Sequence, residues 1–316
     1  NEINTLMNDA SRYMDDTDYA NAFESYRIVL EKFPMFAEAA YSMGLVKNRE
    51  KILNEAVQHF KTALEINPYH EKARKALDNV TKKSFNDGNR AYKRGDLDGA
   101  IEAYYKVLEF DEKFYQAHYQ IGVIKAKMGD RNGAIGHYQQ ALDINPNFYK
   151  GWYAMGLSKK ANSDNEGALA AFKAAVDVHP AYDKAFGAMG EIYLSEKKYD
   201  QAIEVLNTAV QVNSKYSKGY STLGVIYSEM EEWANAANNL VLATTHNEKD
   251  AMAWYRLAVA YNQLDECDRA EEAARNSTDR KPSFGGGWIE LGVATWCGGK
   301  GNKVASVNAL EKARKD

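Results

Sequence analysis

The sequence predicts an all-α fold in which helix hairpins stack one on the next as a solenoid. Three observations predict it. A glycine recurs every 34 residues as Gly88, Gly122, Gly156, Gly190 and Gly224, and an alanine follows twelve residues after each, as Ala100, Ala134, Ala168, Ala202 and Ala236. All five prolines, Pro34, Pro68, Pro146, Pro180 and Pro282, fall twenty-four residues after the glycine's place in their period. Within one period, residues 149–180, the residues Trp152, Met155, Gly156 and Lys159 stand at helical spacing. After the polar run 162–167, Ala168, Phe172, Ala175 and Val176 do so again. That pattern is two amphipathic helices joined by a short turn.

Each recurring residue has a physical reason. Numbered from Tyr149, glycine takes position eight, with Gly44 and Gly292 in the same place, and alanine takes position twenty, with Ala22, Ala56 and Ala270. Both are small because the two helices of a hairpin cross there and their backbones must approach closely. Phe60, Tyr104, Tyr138 and Phe172 at position twenty-four fill the space beside that contact. Proline at position thirty-two lacks an N–H and biases the residue before it away from the α region, so the second helix stops. One hairpin cannot bury its apolar face, whereas a stack buries a continuous core between neighbours.

Together with Trp152, Trp254 and Trp288 at position four and Tyr13, Tyr193, Tyr227 and Tyr261 at position eleven, these residues closely resemble the tetratricopeptide repeat (TPR) pattern over nearly the whole chain. The resemblance implies one right-handed superhelical solenoid over residues 1–316, made of nine repeats: 3–36, 37–70, 81–114, 115–148, 149–182, 183–216, 217–250, 251–284 and a variant 285–316.

Three places depart from the pattern. The first repeat has Ala10 in the glycine place and carries Asp15, Asp16 and Asp18 in its turn, a polar N-terminal end. Ten extra residues, 71–80, contain neither Gly nor Pro and set Ala73, Leu77 and Val80 at helical spacing. They predict one helix from about His70 to Lys93, an insertion extending the first helix of the third repeat by ~15 Å and a hinge or docking projection. In the last repeat the turn at 298–302 is about two residues too long, which assigns Ser306, Leu310 and Ala313 to the second helix. Gly285, Gly286 and Gly287 open a helix after Pro282 and read as a loose turn.

Composition narrows the function. Hydrophobic residues at 45% and charged residues at 27% are ordinary for a soluble globular chain. A net charge of −4 argues against a general nucleic-acid binder. No apolar run approaches the ~18 residues of a membrane span, so no direct membrane insertion is expected. No targeting leader opens the sequence, and the compartment stays undetermined. His59, His70, His118, His137, His179 and His246 are scattered over different repeat positions without metal-ligand spacing, so neither metal nor cofactor is expected. Gly298 to Gly301 lacks the spaced glycine and Lys-Ser/Thr pair of a phosphate loop. Cys267 and Cys297 lie near turns of adjacent repeats; free thiols are expected, with a contact between them the alternative. Nothing assembles an active site, and the chain is read as a non-enzyme.

In the family that the chain resembles, first-helix positions two, five, nine, twelve and thirteen line the concave face. Carried over, they select Tyr41, Lys82, Phe85, Asn89, Tyr92, Lys93, Tyr119, Lys127, Lys150, Tyr153, Lys160, Lys184 and Lys218, a lysine ladder interleaved with aromatic rings. Residues 81–182 hold 14 Lys and Arg against 12 Asp and Glu, a basic stretch in an acidic chain. Members that grip a chaperone's C-terminal carboxylate use five Lys, Asn and Arg positions. Asn89 and Lys150 match here, and Phe85, Gln120 and Ala154 do not, so that subclass is not expected. Two readings of the ladder compete: solvated lysines over a stripe of covering tyrosines, or a groove for an acidic protein segment with apolar anchors. The first functional expectation is therefore a scaffold or adaptor binding such a segment. The alternative is an assembly protein that self-associates through its atypical ends, with Trp288, Ile289, Val293 and Trp296 as an exposed apolar C-terminal end giving a homo-oligomer.

Overall fold

The computed structural model describes residues 2–297 and 302–314, and among them all regular structure is helical. The chain divides into two compact units, Asn1–Pro146 and Asn147–Asp316. The first holds α1 (Glu2–Asp15), α2 (Tyr19–Lys32), α3 (Ala37–Arg49), α4 (Leu53–Ile66), α5 (Glu71–Lys93), α6 (Leu97–Phe110), α7 (Tyr115–Lys127) and α8 (Arg131–Ile144). The second holds α9 (Tyr149–Ala161), α10 (Asn165–Val178), α11 (Asp183–Ser195), α12 (Tyr199–Val212), α13 (Ser217–Glu229), α14 (Trp233–His246), α15 (Ala251–Gln263), α16 (Cys267–Arg280), α17 (Gly285–Trp296) and α18 (Lys303–Ala313). Odd and even helices pair as hairpins, and within each unit successive hairpins pack on one another. The fold is an all-α TPR-type solenoid.

In the α1–α2, α5–α6, α7–α8 and α9–α10 hairpins the turn is short because two capping devices overlap in it. Thr17 has φ 60°, its N–H donates to the Met14 carbonyl, and the Asp18 N–H reaches back to Tyr13 at 2.8 Å. This is a Schellman ending. Asp18 is at the same time the N-cap of α2, accepting from the Asn21 N–H, and Asp96, Asp130 and Asp164 cap α6, α8 and α10 in the same way. The left-handed place is filled by Gly95 and Gly129 in two hairpins, and by the non-glycines Lys51, Ser163, Lys197, Glu231 and Asp265 in others.

Where a ring or a leucine fills the crossing point of a hairpin, the facing position needs its glycine. A Cβ on Gly156 would stand 2.5 Å from the ring of fully buried Phe172, and one on Gly44 equally close to Phe60. In the α11–α12 and α13–α14 hairpins Leu206 and Leu240 take the ring's place against Gly190 and Gly224. Ala100, Ala134, Ala168, Ala202, Ala236 and Ala270 have no exposed surface.

α5 is the exception in length, at 23 residues. His70 caps it, with Nδ1 accepting from the Ala73 N–H, and His70 Nε2 is 2.9 Å from Glu38 Oε2. Its first half sends Ala73, Leu77 and Val80 into the cores built on α4, whereas Ala91 in its second half packs with Ala100 and Tyr104 of α6.

The structure corrects two expectations. Cys267 and Cys297 are not free thiols: they form a disulfide with Cα atoms 5.7 Å apart, because the start of α16 and the end of α17 meet there. Gly285, Gly286 and Gly287 form the first turn of α17 rather than a loose turn, and Gly287 lies against Ser277 and Thr278, where a larger residue would crowd α16. The long turn expected at 298–302 lies, apart from Asn302, outside the described residues. After it, Ser306 is buried and donates to the Gly292 carbonyl, and Leu310 lies against Gly292.

Candidate binding surface

In the first unit the inner-face rings are partly covered and the lysines are exposed. Tyr41 leans on Phe60 and His70, with ring centroids at 5.9 and 5.3 Å, and burial pushes its phenol up from the ordinary range. Phe85 sits between Tyr104 and Phe114 at 5.4 and 5.1 Å. Asn89 is held by the fully buried Tyr104, whose hydroxyl donates to Oδ1 at 2.8 Å; burial raises that phenol to about 12, which keeps it a donor. Tyr119 packs on Tyr138. Lys82, Lys93 and Lys127 stay in solvent, and the Lys127 ammonium lies 5.2 Å from the centre of the Tyr92 ring, joining two consecutive first helices by a cation–π contact.

In the second unit Tyr153 packs on Phe172 and edge-on against Tyr182. Lys150 is exposed but lies over the ring of its neighbour Tyr149 rather than beside Tyr153. Lys184 is exposed. Lys160 and Lys218 are not free members of a ladder: both bond Glu191, at 2.7 and 2.5 Å. Burial pushes the Glu191 carboxyl up, and the two lysines' hydrogen bonds outweigh this and hold it below the usual carboxylate range.

Three residues of this face lie outside the pattern of lysines, rings and Asn89. Glu191 occupies position nine, and Ser221 and Arg256 follow on α13 and α15, with Arg256 Nη1 3.4 Å from Ser221 Oγ. With Lys218, Leu194 and Val225 they border a hollow of about 600 Å³. Reading position nine for both signs of charge would have found Glu191. Arg256 stands at position six, outside the set that was read.

At the C-terminal end Ile289, Val293 and Trp296 are 46–49% exposed, and Val307 and Leu310 of α18 join Val293 and Trp296 around a hollow of about 360 Å³. Trp288 does not belong to this patch. It packs against the core of α15 and α16, donates its indole N–H to the Pro282 carbonyl at 2.8 Å, and carries Lys312 on its ring.

Among the described residues no group of three or more His, Cys, Asp or Glu could hold a metal ion, and no helix is long and apolar enough to cross a membrane. A surface of half-covered rings, ion pairs and shallow hollows is suited to binding.

Stacked helix hairpins with glycine–aromatic crossings and such an inner face define a helical-repeat protein. The chain carries tetratricopeptide repeats. Models of that repeat match at residues 9–71, 88–129 and 115–148, and the model of the C-terminal ARM domain of tetratricopeptide repeat protein 21 matches at 158–276. Among curated proteins the chain is similar to mouse (Mus musculus) DnaJ homolog subfamily C member 7, at 40% identity over 77 residues. The match spans 24% of this chain and 16% of that relative's length. Among solved structures it resembles PilF of Pseudomonas aeruginosa, with TM-score 0.59 and 17% identity over 68% of this chain and 96% of that one. It also resembles MamA, with TM-score 0.48 and 24% identity over 52% of this chain and 96% of that one. TPR proteins act as protein-interaction scaffolds and are generally non-catalytic.

Proposed function

We propose that this chain is a scaffold or adaptor that binds an acidic protein segment with aromatic or apolar anchors along the inner faces of its first helices. The observation that carries the reading is the interleaving of half-covered rings with solvated ammonium groups, as in Tyr92 beneath Lys127. The rings supply contact area at low entropy cost, and the lysines steer a negative partner. A pulldown comparing wild type with Lys93→Glu/Lys127→Glu and with Lys150→Glu/Lys184→Glu tests it. These lysines are exposed, so the fold should persist, and the captured acidic proteins should be lost from at least one variant. Capture unchanged in both would remove the reading.

A second reading has its own observation in the apolar cluster Ile289, Val293, Trp296, Val307 and Leu310, a surface fit to meet a second copy. Light scattering of wild type and Val293→Glu/Val307→Glu decides it. A monomer at high concentration in both would count against self-association.

A further inference from the structure

The ten residues that lengthen α5 do more than space the hairpins. In the 34-residue frame of the preceding hairpin, counting on from Glu71, residues Lys72, Lys75, Asn79, Lys82 and Lys83 stand at positions two, five, nine, twelve and thirteen. Those are the inner-face positions. α5 thus serves as a first helix twice: its first half packs on α4, its second half pairs with α6, and the first half brings an inner face with no second helix of its own.

Between α3 and this first half lies a hollow of about 400 Å³. Its apolar lining comes from Tyr41, Leu45, Ala76 and Val80, its polar lining from Lys72, Lys75 and Lys83 with Asn48 and Asn79, and no carboxylate borders it. The opposite side of α5 is different: there Asp78, Glu109, Asp111 and Glu112 border a second hollow together with two lysines. The basic character is therefore one-sided. Lys72 bonds Glu38 at 2.9 Å and Lys75 lies 3.8 Å from Glu71, with both lysines mostly exposed, so these pairs exchange readily for a ligand's carboxylates. Lys82 and Lys83 make no ion pair among the described residues.

We infer that this hollow is the anchor subsite for the acidic segment, seating one aliphatic or aromatic side chain on Tyr41, Leu45 and Ala76 while flanking carboxylates reach Lys72, Lys75 and Lys83. The inference rests on the groove reading above. The volume is near the lower end of the roughly 300–1,000 Å³ of small-ligand sites, the scale of one or two side chains. An apolar lining under a rim of one charge selects sequence by the anchor and sign by the rim.

The experiment pans a bead-displayed random dodecapeptide library with the full chain. Affinities of the enriched peptides are then measured by fluorescence polarisation on three variants whose thermal melts match wild type. They are Lys75→Glu/Lys83→Glu, Ala76→Trp, which fills the hollow at constant charge, and Lys93→Glu/Lys127→Glu. Wild type should enrich peptides with Leu, Ile, Phe or Trp between Asp and Glu, and their affinity should fall at least tenfold in each of the first two variants. Acidic peptides indifferent to those two but weakened by Lys93→Glu/Lys127→Glu overturn the anchor subsite and leave the groove reading standing. Enrichment of neutral or basic peptides, or of none, overturns both. Capture of oligouridylate or phosphatidylserine vesicles through Lys75 and Lys83, without acidic peptides, gives these lysines a different partner and overturns the inference.

Discussion

The Glu191 carboxylate lies 2.7 Å from the Lys160 ammonium of the preceding first helix and 2.5 Å from Lys218 of the next. One acid thus occupies two inner-face lysines and ties three consecutive repeats. An incoming acidic segment must compete with it. Removing the charge in Glu191→Gln should raise affinity for a fluorescein-labelled peptide of alternating Glu and Leu by about 3- to 10-fold, the equivalent of releasing partly exposed pairs. The same change should weaken the fold at neutral pH. Because the folded-state pKa is depressed, the stabilisation is present above the unfolded value near 4.3 and is lost as pH falls through the folded one. Affinity unchanged or reduced in Glu191→Gln would show that the two lysines take no part in binding.

The crossings of the hairpins set a sharper test. Gly156→Ala gains helix propensity yet places a methyl 2.5 Å from Phe172, which is fully buried and cannot swing aside, so a net loss of about 1–3 kcal/mol is expected. Gly136 lies inside α8 with nothing within 4 Å of an added Cβ. Gly136→Ala should therefore gain about 0.5–1 kcal/mol. Urea denaturation of the two variants should move the midpoint in opposite directions, and equal shifts would disprove the packing account.

These glycines also show what was legible. Gly156 and Ala168 have one role wherever the repeat occurs, since the crossing demands small residues whatever surrounds it. Residue type plus period was enough to read the fold class. Lys160 and Lys218 have no such fixed role. Whether a lysine is free depends on a carboxylate one repeat away, here Glu191. Trp288 and Trp296 are both apolar residues of α17, yet one is packed and the other half exposed, because Trp288 lies on the core shared with α15 and α16 whereas Trp296 borders an open hollow with α18. The disulfide escaped for a related reason: a separation of 30 residues says nothing about whether two Cβ vectors face each other.

Acid should loosen the first unit around His137. Its Nδ1 is 3.4 Å from His118 Nδ1 and its Nε2 is 3.2 Å from the Tyr105 hydroxyl. Burial, then the charges of His118 and Lys125, bring its pKa down to about 4, with Asp130 opposing. The unfolded chain binds this proton near pH 6.5 and the folded one only near 4. Stability is therefore complete above the unfolded value and falls as pH drops through that window. In His137→Gln one fewer proton is taken up on unfolding, so near pH 5 the dependence of unfolding free energy on pH should flatten by about 1.4 kcal/mol per unit. Denaturation series at pH 7.5, 6, 5 and 4.5 measure it, and parallel curves for both proteins would rule His137 out as the acid-sensitive group.

The Cys267–Cys297 bridge fastens the first residue of α16 to the residue that caps the end of α17, where the described stack leaves Val293 and Trp296 half exposed. A hairpin covered on one side only has less core to hold it than an internal one. Closing a loop over a sequence separation of 30 removes chain entropy from the unfolded state worth about 3.5 kcal/mol by the loop-closure relation. Reduction with dithiothreitol should therefore lower the melting temperature and bring hydrogen exchange in α17 and α18 closer to that of an open helix pair, while α9 to α12 stay protected. Cys267→Ser should melt at the temperature of the reduced wild type and be indifferent to dithiothreitol. If oxidised and reduced wild type melt together and exchange alike, the bridge contributes nothing to holding the last hairpin, and the packing of Trp288, Leu291 and Ala309 on α15 and α16 carries that load.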